Sequence, residues 1–239
     1  MSLPLLTPQQ RLARQEHKRQ TVLRFLVSET WTALPIVCRL LKLSPREVAR
    51  TLNGMVRDDL LIKESIAVTP RQNVNIYGIS AGGIAACPTA PVTTPEHQQG
   101  RLTLTNLPHS LRVQEVRVIA EAAGWTAWVA GRELYNQGLP TIPDAVATDP
   151  QSRRVAFEIE RHVKSRKRSA EVVSGHVVVI AQRKLWQCVL YLADHRCDAS
   201  RLQQLYMSHE KIDTPSGKAP MTDTHRARFQ FVNIADFVG

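Results

Sequence analysis

Residues 142–168, IPDAVATDPQSRRVAFEIERHVKSRKR, restrict the folds open to this chain more than any other stretch. Ile142 to Thr148 is a short apolar strand interrupted by one acid, Asp144, and Asp149-Pro150-Gln151-Ser152 has the composition of a turn. Arg153 to Glu160 then alternates. A strand's side-chain period is two, so Val155, Phe157 and Ile159 face one way while Ala156, Glu158 and Glu160 face the other. Paired as a hairpin across the turn, the two strands bring Asp144 beside Glu158 and Glu160, three carboxylates in one small volume. Crowded carboxylates repel, and their burial is costly unless a cation or a proton compensates. A hard ion such as Mg²⁺ or Mn²⁺ does so with a few carboxylates and water. Arg161, Lys164, Arg166, Lys167 and Arg168 follow at once. Cations around an acidic metal pocket suit a polyanionic substrate, and phosphodiester cleavage is the chemistry this combination favours. The plainer reading is a solvated strand face running into a solvated helix start. Asp144 counts against it, because Asp is depleted in strands.

The rest of the chain is basic on both sides of this stretch. Residues 1–80 carry 12 Lys/Arg against 6 Asp/Glu, and residues 101–239 carry 19 against 14. A net charge of +10 points to a polyanion as partner for both parts, although charge alone also serves solubility. Four cysteines, Cys38, Cys87, Cys188 and Cys197, show no C-x-x-C spacing, so neither a disulfide framework nor a zinc site is indicated. The start, MSLPLLTPQQ, lacks the pattern of a secretory signal, and no apolar run is long enough to span a bilayer. A cytoplasmic protein without membrane insertion is expected.

Before residue 80 the pattern is helical. Pro8 to Ser28 and Thr32 to Leu41 read as two helices. Ser44-Pro45-Arg46-Glu47 is a capping box that opens a third, with Val48, Leu52 and Met55 or Val56 buried and Arg46, Arg50, Asn53 and Arg57 on other faces. Leu60 to Val68, a Pro70–Asn73 turn and Val74 to Ser80 make a β-hairpin with Arg71 at its tip. Three helices and a hairpin read as a winged helix-turn-helix over residues 1–80, with Arg46, Arg50, Asn53, Arg57 and Arg71 as candidate DNA contacts. Such modules also bind proteins; the arginines favour DNA. Residues 81–100 are Pro/Gly/Thr-rich and are expected to form a mobile linker.

Residues 101–239 carry the second domain. His109 to Ala123 is a helix, Trp125 to Ala130 a strand, and Glu133 a possible fourth acid. The central hairpin follows. Ser165 to Lys184 is read as a crossover helix, Leu185 to Ala193 as a buried strand, Ala199 to Met207 as a helix, Thr214 to Asp223 as a loop and Ala227 to Phe237 as a last strand. The class is α+β or α/β, a mixed sheet flanked by helices.

Pro143-Asp144, a turn and an apolar strand ending Glu158-Ile159-Glu160 resemble the PD-(D/E)xK motif of restriction-endonuclease-like nucleases. The resemblance implies that Asp144 and Glu158 are metal-binding acids. The motif's usual lysine falls on Glu160, a departure that leaves the water-activating group open; Lys164, one helical turn further on, is the candidate replacement. More narrowly, a basic winged helix, a linker and an IPDA…FEIER…KSRKR core are similar to the MobC family of plasmid-mobilisation relaxases, a likeness that extends to His109-Ser110-Leu111-Arg112 and the Trp125 region. It implies metal-dependent nicking of one strand of double-stranded plasmid DNA at an origin of transfer during conjugation, with Mg²⁺ or Mn²⁺ as cofactor and a coupling protein and an accessory mobilisation protein as partners. In that reading Asp144, Glu158 and Glu160 hold the metal, and Glu160 or Lys164 serves the water or the phosphate charge. Arg161, Arg166, Lys167 and Arg168 contact DNA. The eight histidines form no H-x-H cluster of the kind used by tyrosine relaxases, and Tyr135 is the one tyrosine in a polar segment near the acids. The competing expectation is a sequence-specific replication or partition regulator with a degenerate nuclease fold, which Glu160 favours.

Overall fold

Helix α1, Pro8–Glu29, starts at a full capping box between Thr7 and Gln10 with proline at its first position, and buries Val22, Leu23 and Leu26. It belongs to a computed structural model that describes residues 7–69 and 71–238. The fold is mixed α+β, and the chain divides into two units, Met1–Val118 and Ile119–Gly239.

In the first unit β1, Trp31–Ala33, precedes α2, Leu34–Leu41. Helix α3, Pro45–Arg57, opens at the Ser44/Glu47 box read from the sequence and buries Val48, Leu52 and Met55. Strands β2, Leu61–Thr69, and β3, Gln72–Ile79, form an antiparallel hairpin, and β1 pairs on the far side of β3. The sequence pattern predicts a helix from Thr32. Trp31 to Ala33 instead pair with Gly78 to Ile76, a segment too short for alternation to reveal. Pro70 of the expected turn lies outside the described residues.

The stretch whose composition predicts a mobile linker is pinned. It opens with helix α4, Ala81–Ala85, and buries Cys87 and His97. The His97 amide donates to the Ile79 carbonyl at 2.9 Å, and its ring lies over Gly78, where a Cβ would come within 2.1 Å of it. Glu64 then accepts from the Gly100 amide and bonds the His97 ring, each at 2.9 Å. Helix α5, Leu107–Ala122, is expected from the sequence in the second domain, yet its first part completes the first unit. Gln114 bonds the Trp31 carbonyl and the Thr32 hydroxyl, and Arg117 pairs with buried Glu29 at 2.6 Å. Buried polar groups must be matched, and these matches draw the helix to β1 and α1.

The second unit runs β4 (Thr126–Ala130), a 3₁₀ turn (Gly131–Gln137), β5 (Ala145–Thr148), β6 (Arg154–Glu160), α6 (Arg166–Val178) with a π turn to Arg183, and β7 (Cys188–Ala193). Then come α7 (Ala199–Met207), the hairpin β8 (Lys211–Thr214) and β9 (Gly217–Pro220), α8 (Asp223–Arg226) and β10 (Phe229–Asn233). The sheet order is β10-β7-β6-β5-β4. Strands β5 and β4 run antiparallel to their neighbours, while β6, β7 and β10 are parallel. Parallel neighbours need a crossover, and α6 supplies it between β6 and β7. One face of the sheet packs Ala156, Val189 and Tyr191 under Val173, Val177, Trp186, Leu202 and Tyr206. Each fully buried large apolar chain contributes roughly 2–3 kcal/mol. On the other face Phe157 meets Trp125 edge-on at 5.0 Å. The segment expected as a loop after Thr214 contains β9, paired to β8. No described helix is long and apolar enough to cross a membrane.

Candidate functional site

Strands β5 and β6 pair as the sequence alternation requires, Ala145 opposite Phe157 and Thr148 opposite Arg154. Asp144 stands immediately before this ladder, and its side chain bonds the backbone of β6 between the two glutamates. Asp144 is not inside a strand, as the sequence suggested, but one residue before β5. Its amide donates to the Phe157 carbonyl at 2.9 Å, and its Oδ2 accepts from the Ile159 amide at 2.7 Å. Gly131 fixes this entry: its amide donates to the Asp144 carbonyl at 2.8 Å, and a Cβ there would meet the Pro143 carbonyl at 2.1 Å.

Glu158 and Glu160 are both buried. Glu158 Oε1 bonds His176 Nε2 at 2.9 Å, and its Oε2 lies 3.8 Å from Lys164 Nζ. Glu160 Oε1 accepts from Tyr206 Oη at 3.0 Å and from Lys164. Lys164 is not on a helical turn. Residues 161–165 form an irregular bend after β6, and the bend carries the ammonium back over the two glutamates. Helix α6, capped by Ser165, brings in His176 from below, and Gly175 lets it pass close to Thr141, whose Cβ would lie 2.7 Å from an added Cβ.

The electrostatics follow from this crowding. Burial first, and then the Glu158 charge, raises the Glu160 carboxyl above its ordinary value; Lys164 and Tyr206 oppose the shift only in part. Burial alone would lower Lys164, but Glu158, Glu160 and Asp144 together raise it, so it stays an ammonium. Burial and the same glutamates raise the hydroxyls of Tyr206 and Tyr191, so both stay neutral; Tyr206 donates to Glu160, whereas the buried Tyr191 hydroxyl has no hydrogen-bond partner among the described residues.

Asp144, Glu158, Glu160 and Lys164 are thus one cluster. His176 and Tyr206, which complete it, carry no local signal in the sequence; each lies far along the chain from its glutamate and arrives through helix packing. The expected basic rim divides. Arg161 turns to buried Asp194 at 3.8 Å, Arg166 bonds Ser208 at 3.2 Å, Arg168 pairs with Glu171 at 3.0 Å, and Lys167 is exposed. Glu133 does not join the acids as a free carboxylate, because it caps the 3₁₀ turn by accepting from the Ala130 amide. Tyr135 is exposed. In the first unit Arg46, Arg50, Asn53 and Arg57 are exposed and share the face of α3 opposite Val48, Leu52 and Met55, and Arg71 is exposed at the hairpin end.

Among the described residues no group of three or more His, Cys, Asp or Glu is arranged to hold a metal ion. Lys164, Tyr206 and His176 answer the charge of the two glutamates instead. The donors nonetheless suit a hard divalent ion in kind. Asp144 and Glu158 offer carboxylate oxygens near the Lys164 ammonium, and Mg²⁺ commonly takes one or two carboxylates with water and substrate phosphate completing its shell. Comparison with known proteins returned no matching family model, no matching curated sequence and no matching solved structure.

Proposed function

We propose that the chain is a metal-dependent DNA nickase of the MobC relaxase type, built from a winged helix-turn-helix and a restriction-endonuclease-like domain. One observation carries the reading: Lys164 folds back onto Glu158 and Glu160 beside Asp144, so a cation accompanies the acidic pair although the motif position itself holds Glu160. Asp144 and Glu158 would hold Mg²⁺ or Mn²⁺, which supplies Lewis-acid stabilisation of phosphate charge when bound. Glu160 accepts the proton of the attacking water, a role helped by burial, which makes it the stronger base. Lys164 meets the negative charge that builds on the phosphate oxygens. Tyr206 and His176 orient the two glutamates. The first unit, through Arg46, Arg50, Asn53, Arg57 and Arg71, docks the duplex at an origin of transfer, with a coupling protein and an accessory mobilisation protein as partners.

The same pairing supports a second reading. With Glu158 and Glu160 compensated inside the protein, the cluster is stable without metal, as a non-catalytic DNA-binding replication or partition regulator requires. Incubation of supercoiled plasmid carrying the transfer origin with Mg²⁺ or Mn²⁺ separates the two. Open circles, abolished by EDTA, are the expected product. Linear DNA indicates an ordinary double-strand nuclease, and tight EDTA-insensitive binding without cleavage indicates the regulator.

A further inference from the structure

Within the first unit α1 and α3 enclose a cleft of about 630 Å³ lined by six Lys/Arg side chains and two carboxylates. Both carboxylates have local partners: Asp58 pairs with Arg19, and Glu47 caps α3 through Ser44. Arg11, Arg14 and Lys18 follow one stripe of α1, and Arg50, Gly54 and Arg57 follow one stripe of α3. The α1 stripe covers roughly 10 Å of helix, close to the axial rise of three nucleotide steps on one DNA strand. Arg46 and Asn53, on the same exposed face of α3, do not line the cleft.

Gly54 sharpens the identification. It sits in the body of α3, where glycine weakens a helix. Nothing among the described residues requires it: the only atom within 4 Å of an added Cβ is Arg57 Nη2, at 3.9 Å. A bare backbone at the centre of a cationic cleft leaves room for an external group to come close.

We propose that this cleft is a phosphodiester-backbone clamp for duplex DNA, in which α1 contributes Arg11, Arg14 and Lys18 and Gly54 lets the backbone reach α3. The inference deepens the DNA-docking reading and rests on it. Arg50 and Arg57 hold phosphates at the edge of α3, and Arg46 and Asn53 are left for the bases. The clamp is indifferent to sequence, since phosphate contacts position the protein without reading it.

The test is fluorescence anisotropy of the full chain on a random-sequence duplex across a salt series, comparing wild type with Arg14→Gln/Lys18→Gln and with Gly54→Ala. The double variant is expected to bind at least tenfold more weakly and to reduce the slope of log affinity against log salt by about 2, because each lost phosphate contact removes about 0.9. Gly54→Ala is expected to melt a few degrees higher than wild type yet bind more weakly, which loss of folding cannot produce. Unchanged affinity and slope in the double variant, or undiminished binding in Gly54→Ala, overturns the clamp. If wild type binds no duplex at all, the docking reading fails with it; if wild type binds and only the variants are indifferent, the clamp alone fails.

Discussion

Helix α3 in the first unit and strand β6 in the second handle charge in opposite ways. On α3 the arginines are exposed, opposite a stripe of Val48, Leu52 and Met55. On β6 the glutamates are buried, and each has a partner from elsewhere in the fold: His176 from α6, Tyr206 from α7, Lys164 from the bend. An exposed charge is an option held for a ligand, whereas a buried charge is a commitment shared by several elements. The exposed face of α3 should therefore lose function without losing stability when a charge is removed, and the β6 cluster should lose both.

The largest effect is expected at Lys164. Replacing it by Met leaves two buried carboxylates facing each other, and breaking such a pair costs about 3 kcal/mol. A loss of unfolding free energy of this size, from urea unfolding followed by tryptophan fluorescence, is the check. Asp149→Ala comes next. This buried carboxylate accepts from the Gln151 and Arg153 amides and from Arg153 Nε, so its loss should cost about 2 kcal/mol by the same assay. Tyr206→Phe removes one hydrogen bond to Glu160, an expected loss of about 1 kcal/mol, and should move Glu160 still further up. At the bottom of the scale, Arg46→Ala should change stability by less than about 0.5 kcal/mol while weakening duplex binding. A large destabilisation there would erase the contrast between the units.

pH tests the contrast by sign. Burial penalises the Asp149 anion, but its three donors, chiefly from Arg153, outweigh that and hold its carboxyl below 3.8. Its contribution is present above the unfolded value and is lost as pH falls through the lowered one. Glu160 is raised above 4.5, chiefly by burial. Its contribution is present below that value and is lost as pH rises through the raised one. Glu160→Gln should therefore flatten the decline in stability on the neutral side of 4.5, and Asp149→Asn should flatten the acid side below 3.8. Urea midpoints measured from acid to neutral pH should separate the two, a tenfold change in proton affinity on folding being worth about 1.4 kcal/mol.

The periodic features are legible in the sequence. The Ser44 capping box and the face shared by Glu158 and Glu160 follow from spacing along one element, whereas the α6 crossover follows from the need to connect two parallel strands, against the β-branched runs in its sequence. The partners of the buried acids are not, because periodicity assigns a side chain to a face and is silent about what crosses to meet it. Residues 81–100 mislead through composition: proline and glycine suggest a mobile linker, but His97 on Gly78 and the Glu64 bonds hold that stretch in place. Lys164 reads in the sequence as a positive charge near the acids and lies there in the fold, although a bend, not a helical turn, carries it to them.

The most direct test of the proposed chemistry is Mn²⁺ binding by the full chain, followed by electron paramagnetic resonance, in wild type, Asp144→Asn and Glu158→Gln. Binding by wild type and its loss in both variants is the predicted result. No Mn²⁺ bound by wild type, or binding that survives both substitutions, would contradict a metal site on these carboxylates and leave the cluster a structural feature of the second unit.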